Sequence, residues 1–223
     1  MAALDDPMVL GQLPLFEGLS ATELAEVNHL LHCSHVPAGT HFITAEQPGE
    51  VVYVLLSGTV KIYVNRTDGR EVILAFLGPG DTVGEMSLVD SAGRSANVMT
   101  TEPSKLLWMD RATFQTSLRQ LAPLANNLVR LLANRLRFAN EQIQALCTLD
   151  VPGRVARQIL ALSDRYGTVP IRLTQSDLAD LVGASRERVN QVIVELKAKG
   201  AISVDSNHRI HVHRPADLAR YCG

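Results

Sequence analysis

Between Val36 and Trp108 the chain is broken at short intervals by Gly39, Gly49, Gly58, Gly69, Gly78, Gly80, Gly84 and Gly93, and the runs between these breaks are rich in β-formers. Short strands joined by tight turns fit that spacing, and a β-sandwich or barrel follows, most naturally a jelly roll. Val51-Val52-Tyr53-Val54-Leu55-Leu56 and Val60-Lys61-Ile62-Tyr63-Val64 flank Ser57-Gly58-Thr59. Thr67-Asp68-Gly69-Arg70 carries the Asp-Gly pair of a two-residue hairpin turn, which needs positive φ at both central positions. Upstream, Ser20-Ala21-Thr22-Glu23 is a capping box leading into Leu24, Val27, Leu30 and Leu31, spaced as on one helical face.

A long helical pattern runs from about Leu121 to Thr148 with more than one apolar row. Leu124, Leu128, Leu131, Arg135, Phe138, Gln142 and Ala145 follow a 4-3 spacing, and Val129, Leu132, Leu136 and Ile143 point elsewhere. A helix with two apolar faces needs two partners, most simply its own domain and the same helix of a second subunit. Burial inside one monomer is the alternative. Asp150-Val151-Pro152-Gly153-Arg154 interrupts the pattern. Three short helical patterns follow, then Ala201-Ile202-Ser203-Val204 and Arg209-Ile210-His211-Val212 around Asp205-Ser206-Asn207, which together predict a winged helix. The expected organisation is α+β: a roll over residues 1–120, a dimerisation helix and hinge over 121–149, and a winged helix-turn-helix over 150–223.

With 46% hydrophobic and 20% charged residues, the composition is that of a globular protein and excludes a disordered or collagen-like chain. No run of 18 uncharged apolar residues occurs, and the N-terminus lacks a basic segment followed by an apolar one, so a cytoplasmic location without membrane contact is expected. Cys33, Cys147 and Cys222 are odd in number and far apart, which argues against a disulfide framework or a zinc ribbon. The net charge of −2 is unevenly spread: residues 150–223 hold 11 Lys and Arg against 8 Asp and Glu, leaving 10 against 15 for residues 1–149. The basic C-terminal third suits a polyanionic partner.

Thr174-Gln175-Ser176-Asp177 is a second capping box, opening a helix through Val182; Gly183 permits a sharp turn and Ser185 can cap the next helix. This is helix-turn-helix spacing. Val189, Val192, Ile193 and Leu196 would face the core, leaving Arg186, Glu187, Asn190 and Gln191 near the N-terminal end of the opposite face. Arg suits guanine O6 and N7, and Glu can accept from cytosine N4. A solvated helix face has a similar composition; the capped turn, the wing and the charge asymmetry favour double-stranded DNA.

Leu181-Val182-Gly183-Ala184-Ser185-Arg186-Glu187-Arg188-Val189 resembles the helix-turn-helix signature of the CRP/FNR transcription regulators, and Asp150-Val151-Pro152-Gly153-Arg154-Val155-Ala156 resembles their hinge and first DNA-domain helix. The resemblance extends through the roll over nearly the whole chain. It implies a homodimer on palindromic TGTGA-like half-sites read by Arg186 and Glu187, with RNA polymerase as a further partner. Relatives usually place an Arg where this chain has Gln191, which more naturally pairs with adenine. Arg188 stands where the family often has a phosphate-touching Thr, so a charged phosphate contact follows.

Gly84-Glu85-Met86-Ser87-Leu88, followed by Arg94-Ser95-Ala96, resembles the phosphate cassette of the cyclic-nucleotide-binding members. Its chemistry is legible in the residues. A cyclic phosphate needs a permanent planar cation, a hydroxyl and backbone N–H groups, which Arg94, Ser95 and Ala96 can supply, and a ribose hydroxyl needs an acceptor such as Glu85. A salt bridge steadying a loop is the alternative role for Glu85 and Arg94. The resemblance further implies that Arg135 reaches Glu85, that Ala139 and Asn140 occupy the positions presented to the adenine amino group, and that cAMP is the effector. An iron-sulfur sensor would need four cysteines, and no histidine lies between His41 and His208 to ligate haem inside the roll. His29, His32, Cys33 and His35 do cluster, His29 and His32 being spaced as on one helical face, but no metal or haem is expected. A cupin-like metalloenzyme lacks its roll histidines here, and no catalytic triad is apparent, so enzyme activity is not expected. A regulator with another effector, or one controlled by abundance with a vestigial pocket, stays open.

Overall fold

The computed structural model describes residues 3–67, 69, 71–90, 92–167, 173–206 and 208–222. Asp68 and Arg70 of the expected Asp-Gly turn, and Asn207 of the expected wing turn, lie outside these. The chain divides into two compact units, Met1–Val64 with Phe76–Leu136, and Asn65–Ala75 with Arg137–Gly223.

In the first unit, 3-10 turns at Pro7–Gln12 and Pro14–Phe16 precede α1 (Ala21–Leu30), whose N-cap Ser20 and Glu23 form the reciprocal capping box. Strands β1 (His32–Val36), β2 (His41–Ile43), β3 (Val51–Ser57), β4 (Val60–Asn65), β5 (Glu71–Leu77, whose residues up to Ala75 fall in the second unit) and β6 (Thr82–Val83) lead to the short helix α2 (Met86–Val89). Strands β7 (Asn97–Thr100) and β8 (Ser104–Asp110) complete two four-stranded sheets ordered β1-β8-β3-β6 and β2-β7-β4-β5. Strand periodicity sorts the core: Leu55 on β3 joins Ile43, Val60, Val83, Val98 and Leu106 from both sheets, whereas Val52 and Val54 project to the other face against Phe16, Leu24 and Phe114.

Two local expectations are corrected. Leu31 leaves the helix in an extended conformation, so α1 stops at Leu30 and His32 opens β1; His29 and His32 therefore share no helical face. Leu30 is exposed, while Leu24, Val27 and Leu31 are buried. The turn out of the helix rotates Leu31 inward and leaves Leu30 outside. His32 stacks on Trp108 with ring centroids 4.2 Å apart.

Asp110 caps α3 (Arg111–Gln120), after which α4 (Ala122–Thr148) runs for 27 residues. Its first row begins buried, with Leu124 and Leu128 in the core beside Phe16 and Leu24. Buried Asn127 donates to the carbonyls of Leu15 at 3.1 Å and Glu17 at 2.7 Å, fixing the helix to the preceding 3-10 turn. Of the second row, Leu132 packs partly buried against the core, while Val129 is 67% exposed, Leu136 63% and Ile143 60%, joined on the outside by Leu146 at 54%.

The second unit continues with α5 (Val151–Tyr166), where Asp150 accepts from the Gly153 amide and Pro152 occupies the first turn. Then come α6 (Gln175–Val182), α7 (Arg186–Ala198), the antiparallel hairpin β9 (Ile202–Val204) and β10 (Ile210–Val212), and a short α8 (Pro215–Ala219). Val155, Ile159, Leu178, Val189, Ile193, Ile210 and Leu218 share one core. Arg154 binds the turn between α6 and α7, its Nε donating to the Val182 carbonyl at 2.9 Å and its Nη1 to the Leu149 carbonyl at 3.1 Å.

Candidate ligand pocket and nucleic-acid interface

In the first unit, β6 hands the chain to Gly84 at φ +87°, and Glu85 then enters α2. Glu85 is 2% and Arg94 9% exposed. The Arg94 guanidinium donates from Nη1 to the Gly84 carbonyl at 2.7 Å and to Ser87 Oγ at 3.0 Å, and from Nη2 to the Val51 carbonyl at 2.6 Å. All three acceptors are neutral, and among the described residues no carboxylate lies within ion-pair distance of it. Burial pushes the guanidinium down from its usual value, while Tyr53, Glu85 and Glu50 pull it back up. Tyr53 is pushed upward by its own burial and lowered in part by Arg94.

Glu85 Oε1 accepts from Arg135 Nη1 on α4, and Arg135 Nη2 also donates to the Thr82 carbonyl. Glu85 Oε2 and Thr82 Oγ1 are buried without a hydrogen-bond partner among the described residues. A buried carboxylate oxygen without a donor is costly unless a ligand supplies one. Met86, Ser95 and Ala96 flank the cluster: Met86 is exposed at the start of α2, Ser95 is exposed, and Ala96 is buried just before β7. Ala139 and Asn140 lie exposed on the part of α4 that belongs to the second unit.

The site also uses Gly49, which sequence reasoning missed. A Cβ on Gly49 would sit 2.0 Å from Ser87 Oγ, and one on Gly84 would sit 2.4 Å from Arg94 Nη1 and 3.0 Å from the Val51 carbonyl. Both glycines are holes into which the Ser87–Arg94 pair fits. Gly49 follows Pro48, a turn signal that marks a loop but not its contact across the fold.

The second unit presents a different surface. Thr174 and Asp177 make the reciprocal capping box of α6, and Gly183 ends that helix at φ 64°. Ser185 caps α7 by accepting from the Arg188 amide at 3.2 Å. Val189, Val192, Ile193 and Leu196 are buried, which leaves Arg186, Glu187, Arg188, Asn190 and Gln191 all exposed. Gln175 Nε2 donates to Asn190 Oδ1 at 2.8 Å, and Gln175, Ser185, Arg186, Glu187 and Asn190 line one shallow polar depression.

Among the described residues no group of three or more His, Cys, Asp or Glu side chains is arranged to hold a metal ion. No helix there is long and apolar enough to cross a membrane.

Residues 33–120 match the cyclic nucleotide-binding domain family, and residues 153–221 match the Crp-like helix-turn-helix domain family. The CRP-like cAMP-activated global transcriptional regulator of Mycobacterium tuberculosis is 36% identical over 205 residues, 88% of this chain and 91% of that relative. The cyclic AMP receptor protein of Thermus thermophilus is 35% identical over 190 residues, 85% of this chain and 88% of that relative. The solved structure of the c-di-GMP responsive global regulator CLP of Xanthomonas campestris matches with a TM-score of 0.69 at 26% identity, covering 87% of this chain and 99% of that one.

Proposed function

Because this chain belongs to the CRP/FNR family of transcription regulators, we propose that it is a cytoplasmic homodimer that reads DNA through α7 and responds to cAMP bound in its β-roll. The observation that carries the effector reading is the pocket's pair of uncompensated groups: among the described residues the buried Arg94 cation has only neutral hydrogen-bond partners and the buried Glu85 Oε2 has none. An anionic cyclic phosphate complements the first, with Ser95 and Ala96 at hand for its remaining oxygens, and a ribose hydroxyl donor complements the second. The relatives whose names specify cAMP support the choice of nucleotide.

Arg135 provides the coupling. It ties Glu85 to α4, whose exposed row of Val129, Leu136, Ile143 and Leu146 repeats at coiled-coil intervals and suits a second copy of the same helix. A ligand that changes how Glu85 holds Arg135 biases that seam, and it does so only by binding one arrangement more tightly than the other. By family resemblance Ala139 and Asn140 occupy the positions presented to the base, where Asn140 keeps a polar side chain and Ala139 offers only a methyl group. On DNA, Arg186 reads guanine and Glu187 accepts from cytosine within a TGTGA-like half-site, while Thr174, Gln175, Ser185 and Arg188 are placed for the backbone and Asn190 and Gln191 for neighbouring bases. RNA polymerase is the proposed downstream partner. The protein acts by binding, without catalysis.

Calorimetry with cAMP, cGMP and c-di-GMP tests the effector, with Arg94→Leu as control. Saturable cAMP binding that weakens roughly a hundredfold in the variant is expected, since a phosphate would lose its only buried cation. Unchanged cAMP affinity in Arg94→Leu sinks the pocket. The c-di-GMP arm is included because one solved relative is named for that response; tighter binding of c-di-GMP than of cAMP would replace the effector and leave the DNA reading intact.

A further inference from the structure

On the exposed face of α7, Arg188 Nη1 donates to Gln191 Oε1 at 3.0 Å, three residues further along the helix. Residues at this spacing share a face. Which end of a glutamine amide points where is ordinarily decided by its partners. Here the partner decides it outright, because a guanidinium carries five N–H donors and no acceptor, and only a carbonyl oxygen can meet it. The Gln191 carbonyl is therefore turned toward Arg188, and its Nε2 amino group is the end without a hydrogen bond among the described residues.

That orientation alters the base expected opposite Gln191. Bidentate pairing with adenine requires the glutamine to accept from N6 while donating to N7. We infer that Arg188 is a positioning residue that presents Gln191 to the major groove as an N–H donor, so that guanine, with two acceptors at O6 and N7, or thymine, with O4, is selected over adenine, whose single acceptor N7 stands beside the N6 donor. The inference rests on the reading of α7 as the recognition helix. It also gives Arg188 a part in specificity that a phosphate contact lacks: a phosphate contact strengthens every sequence alike.

The test is selection from random duplex DNA by the full-length protein, with and without cAMP, followed by titration of the enriched sites in a salt series. Wild type should enrich guanine or thymine at one symmetric pair of positions, and Gln191→Ala should lose that preference. Arg188→Ala frees the carbonyl and should shift the same position toward adenine by roughly fivefold, the equivalent of one net hydrogen bond. Arg188→Lys, another donor without an acceptor, should restore the wild-type base. Adenine enriched by wild type at the Gln191-dependent position overturns the inference. So does an Arg188→Ala variant that weakens all sequences equally and flattens the salt dependence with no change of base, the signature of a phosphate contact alone. Selection of no two-fold-related motif by wild type in either condition overturns the recognition-helix reading and this inference with it.

Discussion

Replacing Gly84 with alanine separates two costs that the pocket combines. At φ +87° any L-residue is strained, by about 1–2 kcal/mol. The added methyl would also stand 2.4 Å from Arg94 Nη1 and 3.0 Å from the Val51 carbonyl, so the guanidinium must move off both the Gly84 and Val51 oxygens. Gly39→Ala supplies the comparison, because its φ is +76° and nothing lies within 4 Å of the added methyl. Denaturant unfolding should show both variants destabilised by about 1–2 kcal/mol, with Gly84→Ala losing more. Only Gly84→Ala should lose cAMP affinity: a displaced guanidinium forfeits a charge-assisted bond worth about 1.5–3 kcal/mol, roughly ten- to a hundredfold in Kd by calorimetry. Equal cAMP affinity in Gly84→Ala and wild type would refute the assignment of Arg94 as the phosphate cation, and a matching loss in Gly39→Ala would show that global stability, not the pocket, controls binding.

Leu136→Glu should leave each chain folded, since the side chain is 63% exposed, yet weaken self-association. Two copies each forfeiting about 1.5–3 kcal/mol of apolar burial predict a rise in the dimer dissociation constant of a hundredfold or more, read by sedimentation; an unchanged constant would remove the α4 seam. Ala139→Thr restores a hydroxyl where only a methyl stands and should sharpen discrimination of cAMP from cGMP by roughly two- to tenfold in paired titrations. Identical ratios in the two proteins would show that this position does not read the base.

What could be read in the sequence was what short stretches of chain decide alone. Both capping boxes, the strands on either side of Ser57-Gly58-Thr59, the turn at Gly183 and the buried row on α7 depend on residues a few positions apart. Where an outcome depended on distant groups, local reasoning stopped short. The end of α1 turns on how Leu31 packs, which moved His32 into a strand. Helix α8 is too short for any periodicity to announce, yet Leu218 is fully buried in its unit. Glu85 and Arg94 stood out by residue type, but the glycine hole at residue 49 that Ser87 fills is a contact across 38 residues of chain.

Arg154 carries a mechanical consequence. Its guanidinium donates to carbonyls at two helix ends at once, Leu149 just past the end of α4 and Val182 at the end of α6, with the Gly183 carbonyl at 3.4 Å as a third. One planar guanidinium therefore links the exit of the long helix to the elbow that leads into α7. Bending that elbow away from Leu149 would strip the same cation of acceptors on one side or the other. Within the second unit, the end of the long helix and the turn that leads into α7 are thus fastened to one cation, and neither can shift alone without giving up part of its bonding.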